Sequence, residues 1–199
     1  MSAAAAPIVL LTDFADQAVL LPVAAAVALA LLAQGWWRGV AAWGLCVGAT
    51  LGAMLVLKLI FAACPEAAWL HSPSGHTAAS GAVAGGLFGL LAVRLCPRLG
   101  WLAVAGLALA VAVPIGVSRV VLGAHSVAEV LLGGTVGIAG ALGFTLLAGP
   151  PPPAVRLRWT ALAAIAAVVL AYGGHLNAEA AIDAAAPGFA RLLGICGAG

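Results

Sequence analysis

Six long apolar segments, nearly free of charged residues, follow one another along the chain. Each is close to the roughly 20 helical residues that cross a bilayer core about 30 Å thick. This pattern predicts an all-α fold, a polytopic membrane helical bundle of about six transmembrane helices. The predicted spans are residues 17–33, 40–61, 77–93, 99–117, 127–148 and 159–174.

The composition excludes an ordinary soluble domain. Hydrophobic residues make up 65% of the 199 residues and charged residues only 7%, whereas charged residues are about a quarter of a soluble globular protein. The mean hydropathy is +1.20. A formal net charge of +2 is too small for a nucleic-acid partner. Because six spans use nearly the whole chain, we expect one membrane-embedded domain over residues 1–199.

The basic residues predict the orientation of the chain in the membrane. Cytoplasmic loops are enriched in lysine and arginine, and here the arginines follow the first, third and fifth spans. Both termini are therefore expected outside. A composition rich in alanine, glycine and arginine is typical of a bacterial genome of high GC content, so we expect an integral protein of a bacterial inner membrane, with its outer side facing the periplasm. The loop arginines are Arg38, Arg94, Arg98, Arg156 and Arg158.

Pairs of glycines predict close packing between helices. Gly81 and Gly85, and again Gly133 and Gly137, have the four-residue spacing that lets membrane helices approach closely. We assign these glycines to helix packing.

Two cysteines share the expected outer, oxidising side of the membrane. Cys64 and Cys196 either form a disulfide there or are two unrelated thiols. The tail, residues 175–199, is expected to form a short surface helix, to which we assign no function.

The polar residues that could carry chemistry lie at the expected outer ends of the spans. Ionisable groups at membrane depth are costly, so each is a functional candidate. Lys58 closes the second span, one group precedes the third span, and another group connects the fourth span to the fifth. These two groups are His71, Ser74 and His76, and Ser118, Arg119, His125 and Glu129.

This set of residues is suited to binding phosphate. Ser74, Gly75 and His76 lie at the expected start of a helix, where unpaired amides and the helix dipole bind anions. Glycine also allows close approach of the backbone to a ligand. Lys58 and Arg119 would supply positive charge, and the planar arginine fork matches phosphate oxygens.

Two histidines beside a phosphate are expected to have different roles, because phosphoryl transfer needs both an attacking atom and a proton for the leaving group. Glu129 follows His125 by four residues and so shares its helical face. A carboxylate there can hold the Nδ1 proton and leave Nε2 free to attack. We therefore expect His125 to be the nucleophile and His76 the acid.

The motifs formed by these residues resemble those of the type 2 phosphatidic acid phosphatase (PAP2) superfamily. Residues 73–76 read Pro-Ser-Gly-His, and they are followed by Ser118 and Arg119, five further residues, His125, three residues and Glu129. This arrangement resembles the second and third signature motifs of that family. The resemblance covers about 75 residues, from Lys58 to Glu129.

The resemblance implies an integral membrane lipid phosphatase that needs no metal or other cofactor and works through a phosphohistidine. The expected partners are the bilayer and a membrane lipid phosphate substrate, and no nucleic acid. Phosphatidate, phosphatidylglycerophosphate, undecaprenyl diphosphate and lipid A phosphates all remain open as substrates. By this analogy His125 attacks phosphorus, His76 protonates the leaving oxygen, and the phosphate oxygens are held by Lys58, Ser74, Gly75, Ser118 and Arg119.

The chain departs from the family pattern at two places. The first motif of the family is Lys-x6-Arg-Pro, but here Lys58 is followed by Leu-Ile-Phe-Ala-Ala and then Cys64-Pro65. The arginine is missing and the spacing is one residue shorter. The family's usual aspartate partner of the nucleophile is replaced by Glu129, which keeps the charge and adds one methylene group.

Other functions are compatible with parts of the pattern. His71, His76, His125 and Glu129 could form a zinc site, although Lys58 and the nearby arginine would repel a cation. A serine hydrolase that uses Ser74 is another alternative, but the sequence contains no GxSxG elbow. A catalytically impaired lipid-binding or transport relative of the same fold is the main alternative.

Two residues also have simpler roles available. Lys58 could extend to the membrane surface, and Glu129 could cap the fifth span.

Overall fold

The chain folds into a bundle of helices. A computed structural model describes residues 6–64, 72–95 and 100–196, and these residues form helices and no strand. The helices are α1 (Ala6–Asp13), α2 (Gln17–Ala33), α3 (Trp37–Ala63), α4 (Gly75–Leu95), α5 (Gly100–Val121), α6 (Val127–Ala148), α7 (Leu157–Ala171) and α8 (Ala178–Leu193).

The six predicted spans correspond one by one to α2 through α7, so the all-α helical bundle is confirmed. Helices α3, α4, α5 and α6 are long and apolar enough to cross a membrane, and α1 and α2 qualify together as a span bent by 41°. Helix α7 is apolar but has only 15 residues, fewer than a straight crossing needs. Several apolar helices make this an integral membrane protein.

Helix α4 lies at the centre of the bundle, between α5 and α6, because its small residues allow both neighbours to come close. A Cβ built on Gly81 would lie 3.3 Å from the backbone of Gly137 in α6, and one on Gly85 would lie 2.7 Å from the Cβ of Ala108 in α5. At Gly133 an added Cβ would overlap the carbonyl oxygen of Ser74. The glycines assigned to packing thus lie at close helix–helix contacts.

A buried aromatic pair joins α2, α3 and α6. The indole of Trp43 donates a 2.9 Å hydrogen bond to the carbonyl of Ala24 and meets the ring of Phe144 edge-on, with ring centroids 5.0 Å apart. This geometry is favoured by aromatic quadrupoles. The carbonyl of Ala24 is otherwise committed to its own helix, so the indole fixes the depth of α2 against α3.

The loop arginines gather at one end of the bundle. Arg38 donates to the carbonyl of Leu147, with 2.7 Å between Nε and oxygen, and Arg94 donates to the carbonyls of Pro151 and Pro152. Arg98 lies outside the described residues. The arginines Arg38 and Arg94 thus lie at the same end of the bundle.

The opposite end carries a disulfide and the tail. Cys64 at the end of α3 pairs with Cys196, and their Cα atoms are 5.4 Å apart, so of the two alternatives the disulfide is the one formed. The tail does form a helix, α8, which packs against α3 and buries Ile182, Ala186 and Ala190.

Replacing Gly133 tests the close contact between α4 and α6. Gly133→Ala should destabilise the protein by about 1–3 kcal/mol, because the new methyl group meets the backbone of Ser74. Gly48→Ala is the matched control, since no atom of the described residues lies within 4 Å of a Cβ built on Gly48 in α3, and alanine is favoured in a helix by up to about 1 kcal/mol. Thermal unfolding of both variants in detergent measures the difference. Equal stability of the two variants would contradict the packing described.

Candidate active site

The start of α4 is held against the start of α6. The amide of Ser74 donates to the carbonyl of Glu129, 3.1 Å away. The Ser74 hydroxyl is fully buried and lies 2.9 Å from the Thr77 hydroxyl and 3.4 Å from the Thr77 amide, which is the position of a helix N-cap. Ser74 and Gly75 are thereby placed at the amino end of α4, as the sequence predicted.

His125 lies in a short turn that returns from the end of α5. The carbonyl of Arg119 accepts hydrogen bonds from the amides of Ala124, at 3.0 Å, and His125, at 3.3 Å. Gly123 in this turn has φ +68°, a left-handed conformation that glycine adopts without strain. This turn explains the Ser-Arg-x5-His spacing, because it brings the imidazole of His125 back beside the guanidinium of Arg119.

Glu129 connects the imidazole of His125 to two backbone segments. Its Oε2 lies 3.4 Å from Nδ1 of His125 and accepts a 2.8 Å bond from the amide of Ser126. Oε1 accepts a 3.0 Å bond from the amide of Ser72. Ser126 caps α6 reciprocally through its hydroxyl, which completes a capping box. Glu129 therefore caps the helix and contacts His125 at the same time.

Arg119 and Ser118 lie in the last turn of α5. One terminal nitrogen of Arg119, Nη1, is 3.4 Å from the hydroxyl of Thr12, whereas its Nε is buried and has no hydrogen-bond partner among the residues that the structure describes. The planar guanidinium is a donor group that matches phosphate oxygens. The buried hydroxyl of Ser118 donates to the carbonyl of Ile115 at 2.6 Å.

Lys58 points into the protein and does not extend to the surface. Its side chain is 4% exposed, and Nζ donates to the hydroxyl of Ser72 at 2.8 Å and forms an ion pair with Glu179 of α8. A Cβ on Gly75 would be 3.4 Å from Cε of Lys58. The ammonium group is therefore next to the start of α4.

His76 completes the group. It interacts electrostatically with Lys58, Arg119 and His125, so the structure brings the predicted histidines and cations together. Its Nε2 is 3.8 Å from Oδ2 of Asp16.

The surroundings of His125 favour its neutral form. Burial lowers the pKa of the His125 imidazole from its ordinary value of 6.5, and the positive charges of Lys58 and Arg119 lower it further, against the opposing effect of Glu129. At neutral pH the ring then has a lone pair on one nitrogen, as a nucleophile requires.

Sequence reasoning missed several residues at this site. Asp16, Thr12, Ser72 and Glu179 all contact predicted site residues, yet none belongs to a motif. For Asp16 a signal existed, since it is a charged residue between two apolar segments. Glu179 has none, because an acidic residue in a short C-terminal helix is typical of an exposed surface.

The described residues do not contain three histidine, cysteine or acidic side chains placed to hold a metal ion. His71, which belonged to the zinc alternative, lies outside the described residues.

Comparisons with known proteins agree with the motifs. The family model described as PAP2 superfamily matches residues 61–151. This region contains every predicted site residue except Lys58, which lies three positions before it.

A relative from Klebsiella pneumoniae, named "Uncharacterized 22.5 kDa protein in cps region", is 35% identical over 173 residues, which is 81% of this chain and 79% of the relative. No solved structure matches the chain significantly. The family match over His76 and His125, together with a relative similar along most of its length, shows that this chain belongs to the PAP2 superfamily.

Proposed function

We propose that the protein is a lipid phosphatase that hydrolyses a lipid phosphate or diphosphate through a phosphohistidine, without a metal ion. Membership of the PAP2 superfamily supports phosphatase chemistry in general. The observation that carries the finer proposal is the contact of Glu129 with Nδ1 of His125, beside Lys58 and Arg119.

In the proposed reaction, Nε2 of His125 attacks phosphorus while the bond from phosphorus to the leaving oxygen breaks. His76 donates a proton to that oxygen. His76 then accepts a proton from water as the water oxygen bonds to phosphorus and the bond from phosphorus to nitrogen breaks, which releases phosphate. Glu129 stabilises the positive imidazole that forms during attack. The groups proposed to bind the phosphate oxygens are Lys58, Arg119, Ser118, Ser74 and Gly75.

An apolar groove beside Lys58 supports a lipid substrate. The groove has a volume of about 320 Å³, lies between α2, α3 and α8, and is lined by Leu21, Leu51, Met54 and Leu55, with Lys58 also in its wall. A lipid chain lying there would place its phosphate near the ammonium group. Substrate would then enter sideways from the bilayer. The arginines at the other end of the bundle favour a periplasmic site in a bacterial inner membrane.

Two observations favour a second function, a catalytically impaired lipid-binding or transport relative. Lys58 is already paired with Glu179, and the chain lacks the arginine of the first family motif. Two phosphate contacts are thus weakened relative to the family pattern.

Phosphate release tests the two functions. Purified protein in detergent with excess EDTA should release phosphate from at least one lipid in a panel of phosphatidate, phosphatidylglycerophosphate, undecaprenyl diphosphate and lipid A. His125→Ala should abolish this release while keeping the unfolding temperature of the parent. Loss of activity in EDTA that zinc restores would contradict the metal-free mechanism. Lipid binding without any release would favour the second function.

The pH dependence of kcat/KM tests the state of His125. Only the neutral imidazole can attack, and its pKa is lowered from 6.5, so activity should be lost only as the pH falls below 6.5. Glu129→Gln removes the charge that opposes this lowering, so its residual activity should extend to still lower pH. An acid limb above pH 6.5, or one unchanged by Glu129→Gln, would contradict the assignment of His125.

Glu179→Gln tests the competition between the carboxylate and the substrate for Lys58. Because Glu179 is half exposed, its ion pair is worth roughly 1 kcal/mol at most, and KM for a lipid phosphate should fall by about 3- to 5-fold. Asp183→Asn is the matched control, since it removes the same charge one turn further along α8. A KM equally lowered in both variants would indicate a general charge effect and no specific competition.

A further inference from the structure

Asp16 is a buried carboxylate at the break between α1 and α2. It is 7% exposed and caps α2, since its Oδ1 accepts a 2.8 Å bond from the amide of Ala18. The same oxygen accepts a 3.2 Å bond from the amide of Leu176, which follows α7. Two distant parts of the chain thus hold the carboxylate in one orientation.

The second oxygen of Asp16 faces the site. Oδ2 lies 3.8 Å from Nε2 of His76 and 3.5 Å from Nδ1 of His175. His175 is largely exposed, with 63% of its side chain accessible, whereas the side chain of His76 is 24% exposed. A charge interaction is stronger where less water screens it, so Oδ2 acts mainly on His76.

The other charged and titratable groups around His76 give this carboxylate its importance. Lys58 comes from α3, Arg119 from α5 and His125 from the turn before α6. Lys58 and Arg119 are basic side chains, and their positive charge repels positive charge on the imidazole. A proton donor in such surroundings needs a nearby negative charge, and among the described residues Asp16 is the acidic side chain that lies against its ring.

We propose that Asp16 is a positioning residue for the proton donor His76. The negative charge of the carboxylate, 3.8 Å from Nε2, favours a proton on that nitrogen, so the second proton of the charged ring is on Nδ1, where it can be donated. As the bond from phosphorus to oxygen breaks, the leaving oxygen takes its electron pair and the Nδ1 proton. His76 is left neutral, with Nε2–H still facing Asp16. This inference rests on the proposed function.

The dependence of the rate on the leaving group tests the proposal. The full chain in detergent is given dodecyl phosphate, whose alkoxide needs a proton to leave, and a nitrophenyl phosphate with an alkyl chain of equal length, whose phenolate leaves unaided. Asp16→Asn keeps the helix cap, because asparagine caps as well as aspartate. We expect kcat for the alkyl ester to fall on the order of 10²-fold and kcat for the aryl ester to change less than about 3-fold.

Controls separate positioning from structural support. Asp13→Asn removes the same charge three residues earlier and should leave both rates unchanged. His76→Gln should reproduce the split between the two esters. The double variant Asp16→Asn/His76→Gln should be no slower than His76→Gln alone, because Asp16 acts through His76.

The outcomes are distinguishable. Equal loss on both esters in Asp16→Asn, or additive losses in the double variant, would show that Asp16 only supports the fold, and would overturn the inference while leaving the phosphatase intact. Parent protein that hydrolyses neither ester, nor any lipid phosphate, would overturn the proposed function and this inference together.

Discussion

The site depends on the carboxylate of Glu129. One of its oxygens contacts Nδ1 of His125 and accepts a hydrogen bond from the amide of Ser126, and the other accepts a hydrogen bond from the amide of Ser72. The Glu129 carbonyl accepts the amide of Ser74. A single residue therefore joins the segment before α4 to the start of α6. Hydrogen bonds to a charged acceptor are stronger than neutral ones. Glu129 can therefore hold the segment before α4 against the start of α6, beyond the region where the two helices pack against each other.

Close packing lower in the bundle makes that junction geometrically accessible. Gly133, one turn below Glu129, lets the backbone of Ser74 approach α6, and Gly137 does the same for Ala78. Without a hydrophobic driving force between helices in lipid, such contacts depend on surface fit. The glycine positions and the capping carboxylate are thus parts of one arrangement, in which packing brings the loops near and Glu129 sets their register.

Much of this could be read from local pattern. Hydropathy predicted α2 through α7, and the family motifs predicted which histidines and cations would meet, because both kinds of signal lie in short stretches of sequence. The bend of 41° between α1 and α2 was not predicted, since an eight-residue apolar segment before residue 17 is too short to register as a span. The C-terminal helix was predicted as a helix but its contact with Lys58 was not, because its acidic residues resemble those of any exposed helix.

The sequence by itself determined that this is an all-helical membrane protein of the PAP2 superfamily with two histidines and two cations at one end of the bundle. Only the tertiary structure decided that Asp16 faces His76, that Glu179 pairs with Lys58, and that Cys64 and Cys196 are joined. These partners are separated by 60, 121 and 132 positions. Hydropathy and motif spacing act over a few helical turns, whereas contacts across such separations follow from how whole helices pack.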